Sequence, residues 1–197
     1  MTLSQAVLPS TSWLNKALLV IAGSVFVALA AQIAIPFAPV PLTLQTLAVL
    51  LVGLTVGSRL GAAALALYVA EGAMGLPVFA NGGAGLAYMA GPTGGFIIGF
   101  VLMAWIAGLA ADFGYRKIVP IAFFSFVAAI ALYIPGLAWP YAVASAAGVE
   151  AGWAGTSLAK LWAGWMQPFV IGDTLKALVA ALIVTGAWDA IARRKAN

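Results

Sequence analysis

The sequence predicts an all-α integral membrane bundle of six transmembrane helices with both termini cytoplasmic. Three observations carry that reading. Hydrophobic residues make up 64% of the 197 residues and charged residues only 7%. A soluble domain is about one quarter charged, so this chain cannot cover a water-facing surface. Six apolar runs are separated by Gly, Pro or charge, the pattern of successive spans. Seven of the nine Lys and Arg residues then fall on one side of the resulting path, which the positive-inside rule assigns to the cytoplasm. Six spans of about 20 residues use most of the chain, so residues 1–197 read as one membrane-embedded domain.

The first run covers residues 17–35 and stops at Pro36. Residues 1–12 lack a charged start leading to a small-residue cleavage site, so this run is expected to be retained as a helix. Residues 36–41 carry Pro36, Pro39 and Pro41, which remove donors and clash with a preceding turn, so no regular helix forms there. The second run, 42–56, is short, and the third covers 60–72. Residues 73–95 hold seven of the 22 glycines and read as an irregular loop. The fourth run covers 96–111, the fifth 118–134 and the sixth 168–187. Between the last two lies a segment with Trp139, Trp153, Trp162 and Trp165. Tryptophan prefers the membrane interface, and residues 157–166 suit a short interfacial helix with Leu158, Leu161, Trp162 and Trp165 on one face.

Lys16, Arg59, Arg116, Lys117, Arg193, Arg194 and Lys195 lie on the cytoplasmic side of this topology. The proline-rich segment, the glycine-rich loop and the start of the sixth helix meet on the outer side. Asp173 and Lys176 sit there, one turn apart inside an apolar run. Residues three apart share a helix face, and a charge at mid-membrane costs at least about 2.5 kcal/mol. Such a pair either serves a ligand or locks the helix to a neighbour. A carboxylate accepts hydrogen bonds from N–H groups, and an ammonium donates to a carbonyl or carboxylate.

Other polar residues at this end have a local reading beside a functional one. Asn81 precedes Gly82, a turn signal. Thr43 suits an N-cap, whereas Gln45 stands between apolar neighbours. Phe79 and Tyr88 can wall an apolar pocket, and Glu71 reads as a solvated helix end. Gly53, Gly57 and Gly61, like Gly91, Gly95 and Gly99, recur every four residues, a spacing that lets helices approach closely. Ala30 and Ala34 form a small-residue face suited to bundle packing or to a membrane partner. Cys and His are absent, which excludes disulfides and thiolate or imidazole metal sites and leaves no catalytic triad. No Gly-x-x-x-x-Gly-Lys-[Ser/Thr] run is present, so the chain does not hydrolyse ATP itself.

The run Pro39-Val40-Pro41-Leu42-Thr43-Leu44-Gln45-Thr46-Leu47 resembles a signature of the BioY family, the biotin-binding S-components of energy-coupling factor (ECF) transporters. Gly75-Leu76-Pro77-Val78-Phe79-Ala80, Gly91-Pro92-Thr93-Gly94-Gly95 and Pro168-Phe169-Val170-Ile171-Gly172-Asp173-Thr174-Leu175-Lys176 resemble its loop and last-helix motifs. The resemblance implies biotin capture from outside, with a transmembrane coupling subunit and two ATPase subunits as partners in the cell membrane. It implies that Asp173, Lys176 and Asn81 contact the ureido group, that Phe79 and Tyr88 enclose the ring and tail, and that Ala30 and Ala34 face the coupling subunit. Gln45, Lys160 or loop backbone amides are left for the carboxylate, and Thr43 counts among the biotin-binding residues. No cofactor and no enzymatic activity are expected, since biotin is the transported ligand. The alternatives are an S-component for another vitamin, a membrane scaffold with a structural Asp–Lys pair, and an intramembrane enzyme.

Overall fold

The computed structural model describes residues 2–7 and 12–196; parts of the N-terminal stretch considered above lie outside them. In chain order the elements are α1 (Leu3–Val7), α2 (Trp13–Ala31), β1 (Ala34–Ile35), β2 (Leu42–Thr43), α3 (Gln45–Val56), α4 (Ser58–Ala73), α5 (Gly85–Met89), α6 (Gly94–Asp112), α7 (Ile118–Ala138), α8 (Ala144–Ala146), α9 (Leu158–Leu161) and α10 (Gln167–Ala196). The protein is an almost wholly helical bundle. Among the described residues, four helical runs are long and apolar enough to cross a membrane: Trp13–Ala31, Gly94–Asp112, Ile118–Ala146 and Leu158–Ala196. With 12 and 16 residues, α3 and α4 are shorter than the ~20 residues of a full span. Large apolar side chains on α2, among them Leu14, Leu18, Ile21, Val25 and Leu29, are exposed. A row of this kind fits a lipid-facing surface, and the chain is an integral membrane protein.

Each of the six expected apolar runs forms a helix, with shifted ends. Helix α2 begins earlier than expected because the Ser12 side chain caps it, accepting from the Asn15 N–H at 3.3 Å. It also ends earlier, at Ala31. The residue before a proline avoids the α region, and Ala34–Ile35 instead pair antiparallel with Leu42–Thr43 around the proline turn. This corrects the expected Ala30/Ala34 face. Ala34 lies in β1 opposite Thr43, and Ala30 packs half-buried against the core, so the two share no helical face.

The fifth helix runs past its expected end. Pro135 lies inside α7, and a π-helical turn at Trp139–Val143 carries the helix on into α8. The Trp139 indole N–H donates to the Gly91 carbonyl at 2.9 Å, tying this extension to the preceding loop. Residues 157–166 are not a separate interfacial helix either. A second π-helical turn at Trp162–Met166 joins α9 to α10 in one run of 39 residues. Their apolar side chains divide between two faces: Leu161 and Trp165 are buried, Leu158 and Trp162 exposed.

Helix α6 is the centre of the bundle, packed on α3, α4 and α7. Small residues allow the close approach. A Cβ on Gly53 of α3 would stand 2.4 Å from the Ala104 carbonyl oxygen of α6, and one on Gly95 would stand 2.2 Å from the Pro135 carbonyl oxygen of α7. Gly57 and Gly91 belong to turns instead. At the end of the bundle where α3 meets α4, Asp112 accepts from the Ser58 N–H at 3.1 Å, and the Arg116 guanidinium lies 4.4 Å from the centre of the Trp188 ring. Basic residues of the last turn, Arg193, Arg194 and Lys195, complement the C-terminal dipole of α10. Glu71 is not a solvated helix end: half-buried within α4, it accepts a hydrogen bond from the buried Ser24 hydroxyl of α2.

Because Gly53 has no room for a side chain, Gly53→Val should destabilise the detergent-solubilised protein by about 1–3 kcal/mol or more. The check is its thermal unfolding midpoint against Gly186→Ala, where an added Cβ meets nothing within 4 Å. Equal midpoints for Gly53→Val and the parent chain would refute the α3–α6 packing.

Candidate functional site

A carboxylate in an apolar bundle needs donors, and Asp173 has three. It lies in the first part of α10 and is 7% exposed. Its Oδ1 accepts from the Thr46 hydroxyl of α3 at 3.0 Å and from the Lys176 ammonium at 3.2 Å, and its Oδ2 accepts from the Tyr133 hydroxyl of α7 at 2.8 Å. Three helices therefore converge on one side chain. An ionised carboxylate offers about four acceptor sites and an ammonium three donors. Among the described residues, one acceptor site on Asp173 and two N–H groups of half-buried Lys176 are left without a partner.

Beside this pair lies a second polar cluster. Gln45, 6% exposed at the start of α3, accepts from the Thr43 hydroxyl at 2.9 Å and donates to the Tyr68 hydroxyl of α4 at 2.7 Å. The Thr43 hydroxyl also accepts from the Gln45 backbone N–H at 3.2 Å. Thr43 thus does the work of a cap and fixes the Gln45 amide at once.

Aromatic rings form the adjoining wall. Phe79 is fully buried, stacks on Tyr88 at 5.3 Å and meets Tyr68 edge-on at 5.5 Å. It occupies the space over Gly72, where a Cβ would come within 2.0 Å of the ring. Burial raises the Tyr88 hydroxyl above its ordinary phenol value, against the opposing effect of a hydrogen bond with Thr93. Tyr88 accordingly stays neutral and donates to the Ala80 carbonyl at 3.3 Å. Gln32 clasps the same loop, donating to the Phe79 carbonyl at 3.1 Å and accepting from the Gly82 N–H at 3.0 Å.

These groups surround a narrow cavity, partly open to solvent, between the β1–β2 hairpin, the loop before α6 and the first part of α10. Asp173, Lys176, Gln45, Thr43, Phe79 and Tyr88 all line it. Phe96, Phe100, Leu132 and Phe169 make most of the rest apolar. Asn81 is placed apart from the other six. It holds a left-handed conformation (φ 57°), a backbone region that Asn tolerates better than most residues, in the turn Ala80–Gly82 and lines an adjoining groove. The groove shares Pro41, Ala80, Tyr88 and Thr93 with the cavity.

Sequence reasoning missed Thr46 and Tyr133, which hold Asp173. The signal for Tyr133 was a hydroxyl inside a long apolar run, since a buried Tyr O–H usually has a partner. Among the described residues, no group of three or more Asp, Glu, His or Cys side chains is placed to hold a metal.

The model of the BioY family matches residues 4–193. The probable biotin transporter BioY of Pyrococcus horikoshii is 36% identical over 163 residues, covering 81% of this chain and 90% of the relative. The biotin transporter BioY of Rhodobacter capsulatus is 38% identical over 177 residues, covering 86% of this chain and 90% of its own length. Among solved structures, the S-component for biotin from an ECF-type ABC transporter superposes with a TM-score of 0.63 at 23% identity, covering 89% of this chain and 92% of that one; at that identity the likeness concerns the fold. With the family match spanning nearly the whole length and both relatives covered across 90% of their length, the chain belongs to the BioY family.

Proposed function

We propose that this chain captures biotin at the outer face of the cell membrane as the substrate-binding subunit of an ECF-type transporter. The observation that carries the reading is the acid–amine pair at one pole of an apolar cavity. Biotin presents a ureido group with two N–H donors and one carbonyl, joined to an apolar ring and tail. The free acceptor site of Asp173 suits a ureido N–H, the spare N–H groups of Lys176 suit the ureido oxygen, and Phe79, Phe96 and Phe169 suit the ring and tail. Family membership and relatives named as biotin transporters support the same ligand. No cofactor and no bond-making step enter this function; the ligand leaves unchanged.

In this reading α2, α3, α4, α6, α7 and α10 are six spans, and residues 1–197 act as one substrate-binding domain. Seven basic residues flank the helix ends opposite the cavity, which supports cytoplasmic termini and an outward-facing cavity. ATP-driven uptake takes partners, because the chain has no phosphate-binding loop. A membrane coupling subunit and two ATPase subunits supply that work, with the coupling subunit against the exposed side of α2 that carries Val25 and Leu29. A second reading has one observation in its favour: Thr46, Tyr133 and Lys176 already bond to Asp173, so the pair can serve as a structural lock alone.

Equilibrium binding on the purified protein separates these readings. Unlabelled biotin should displace labelled biotin, and thiamine or riboflavin should not. Asp173→Asn and Lys176→Ala should each weaken biotin binding at least about tenfold, the worth of a hydrogen bond to a charged group, with unchanged gel-filtration profiles. Wild-type affinity in both variants would remove the site assignment, and unfolding of Lys176→Ala would favour the structural lock. Tyr133→Phe should give a smaller loss, about two- to tenfold, because it removes one neutral donor that orients the Asp173 carboxylate. Binding at the Asp173→Asn level would mean that Tyr133 touches the ligand itself.

A further inference from the structure

The cavity is charged at one end only, and its other end opens into uncharged space. Asp173 and Lys176 line the cavity but not the outer groove, whereas Pro41, Ala80, Tyr88 and Thr93 line both and so form the mouth between them. Beyond the mouth the groove is wide and open to solvent. Its other walls are neutral side chains such as Phe37, Asn81 and Pro92. Among the described residues lining either space, Asp173 is the only acid and Lys176 the only base.

Biotin has one anionic group, the carboxylate at the end of its tail. That carboxylate has no good place beside Lys176, because the Asp173 carboxylate is already bonded there at 3.2 Å and would repel it. Lys160 is no substitute, since it is exposed on α9 and lines neither space. Gln45 is engaged by Thr43 and Tyr68. With the ureido group at the charged pole, the tail runs to the mouth and its carboxylate stays hydrated in the groove. A charge that stays in water contributes little to affinity, and removing it leaves no buried partner unpaired.

Resting on the biotin reading above, we infer that this site does not select for the free carboxylate. It accepts biotin whose carboxyl group is an amide or ester, including biotin linked through an amide to the side chain of free lysine, with the added group lying in the outer groove. The ligand class is therefore the bicyclic ureido ring with an alkyl tail, whatever uncharged or hydrated group ends that tail.

The test is displacement of labelled biotin from the purified full chain by biotin, biotin amide, biotin methyl ester and ε-biotinyl-lysine. The expected dissociation constants of the three derivatives lie within about tenfold of that of biotin. A loss greater than tenfold for both amide and ester, with biotin still bound, overturns the inference and points to a group that grips the carboxylate. Failure of biotin itself to bind would instead remove the underlying functional reading. As a second measurement, Thr93→Lys places an ammonium at the mouth and should shift the preference toward biotin over its amide by at least about fivefold, through a charge-assisted hydrogen bond. An unchanged preference in the folded variant would show that the carboxylate does not pass this point.

Discussion

A carboxylate inside an apolar helix must be matched by donors, and that constraint organises this protein. Asp173 draws a hydroxyl from α3, a hydroxyl from α7 and an ammonium from its own helix. Losing one donor would leave buried polar capacity unmet, which costs more than an average hydrogen bond contributes. The three helices are therefore pinned together at one level, and the space beside the pin is the cavity. Because one acceptor site of Asp173 and two donors of Lys176 stay open, the feature that holds the helix ends also presents a polar face to a ligand.

The rest of the bundle permits this arrangement by being tight elsewhere. Gly53 and Gly95 let α6 touch α3 and α7 almost backbone to backbone. At the far end, Ser58 with Asp112 and Arg116 with Trp188 close the helix ends on themselves. At the cavity end, the proline hairpin and the glycine-rich loop replace regular packing with two short covers. Gln32 and Trp139 hold the loop through backbone carbonyls of Phe79 and Gly91. One end of the molecule is thus built to stay shut, and the other leaves a mouth.

Much of this was legible in the residues, for physical reasons that differ from one element to another. Two charges in an apolar run are visible without a structure because their cost in a membrane is large. The proline run was legible as non-helical because proline acts locally. Partnerships across the fold were not. Glu71 looked like a solvated helix end, and only the packing of α2 against α4 reveals Ser24 as its donor. Tyr133 is one apolar-looking residue among many until α7 is set beside α10. Pro135 suggested a helix end, yet tertiary packing and a π-helical turn carry α7 onward. Asn81 shows the reverse case, where its turn-forming neighbourhood was the better guide to its place in the fold.

Mass spectrometry of small molecules released from the freshly purified protein tests the central claim most directly. The account predicts unmodified biotin, or a carboxyl-substituted form of it, at close to one molecule per folded chain when the protein is prepared with biotin present. Recovery of a different vitamin, of a chemically altered ligand, or of no ligand from a folded preparation would contradict it.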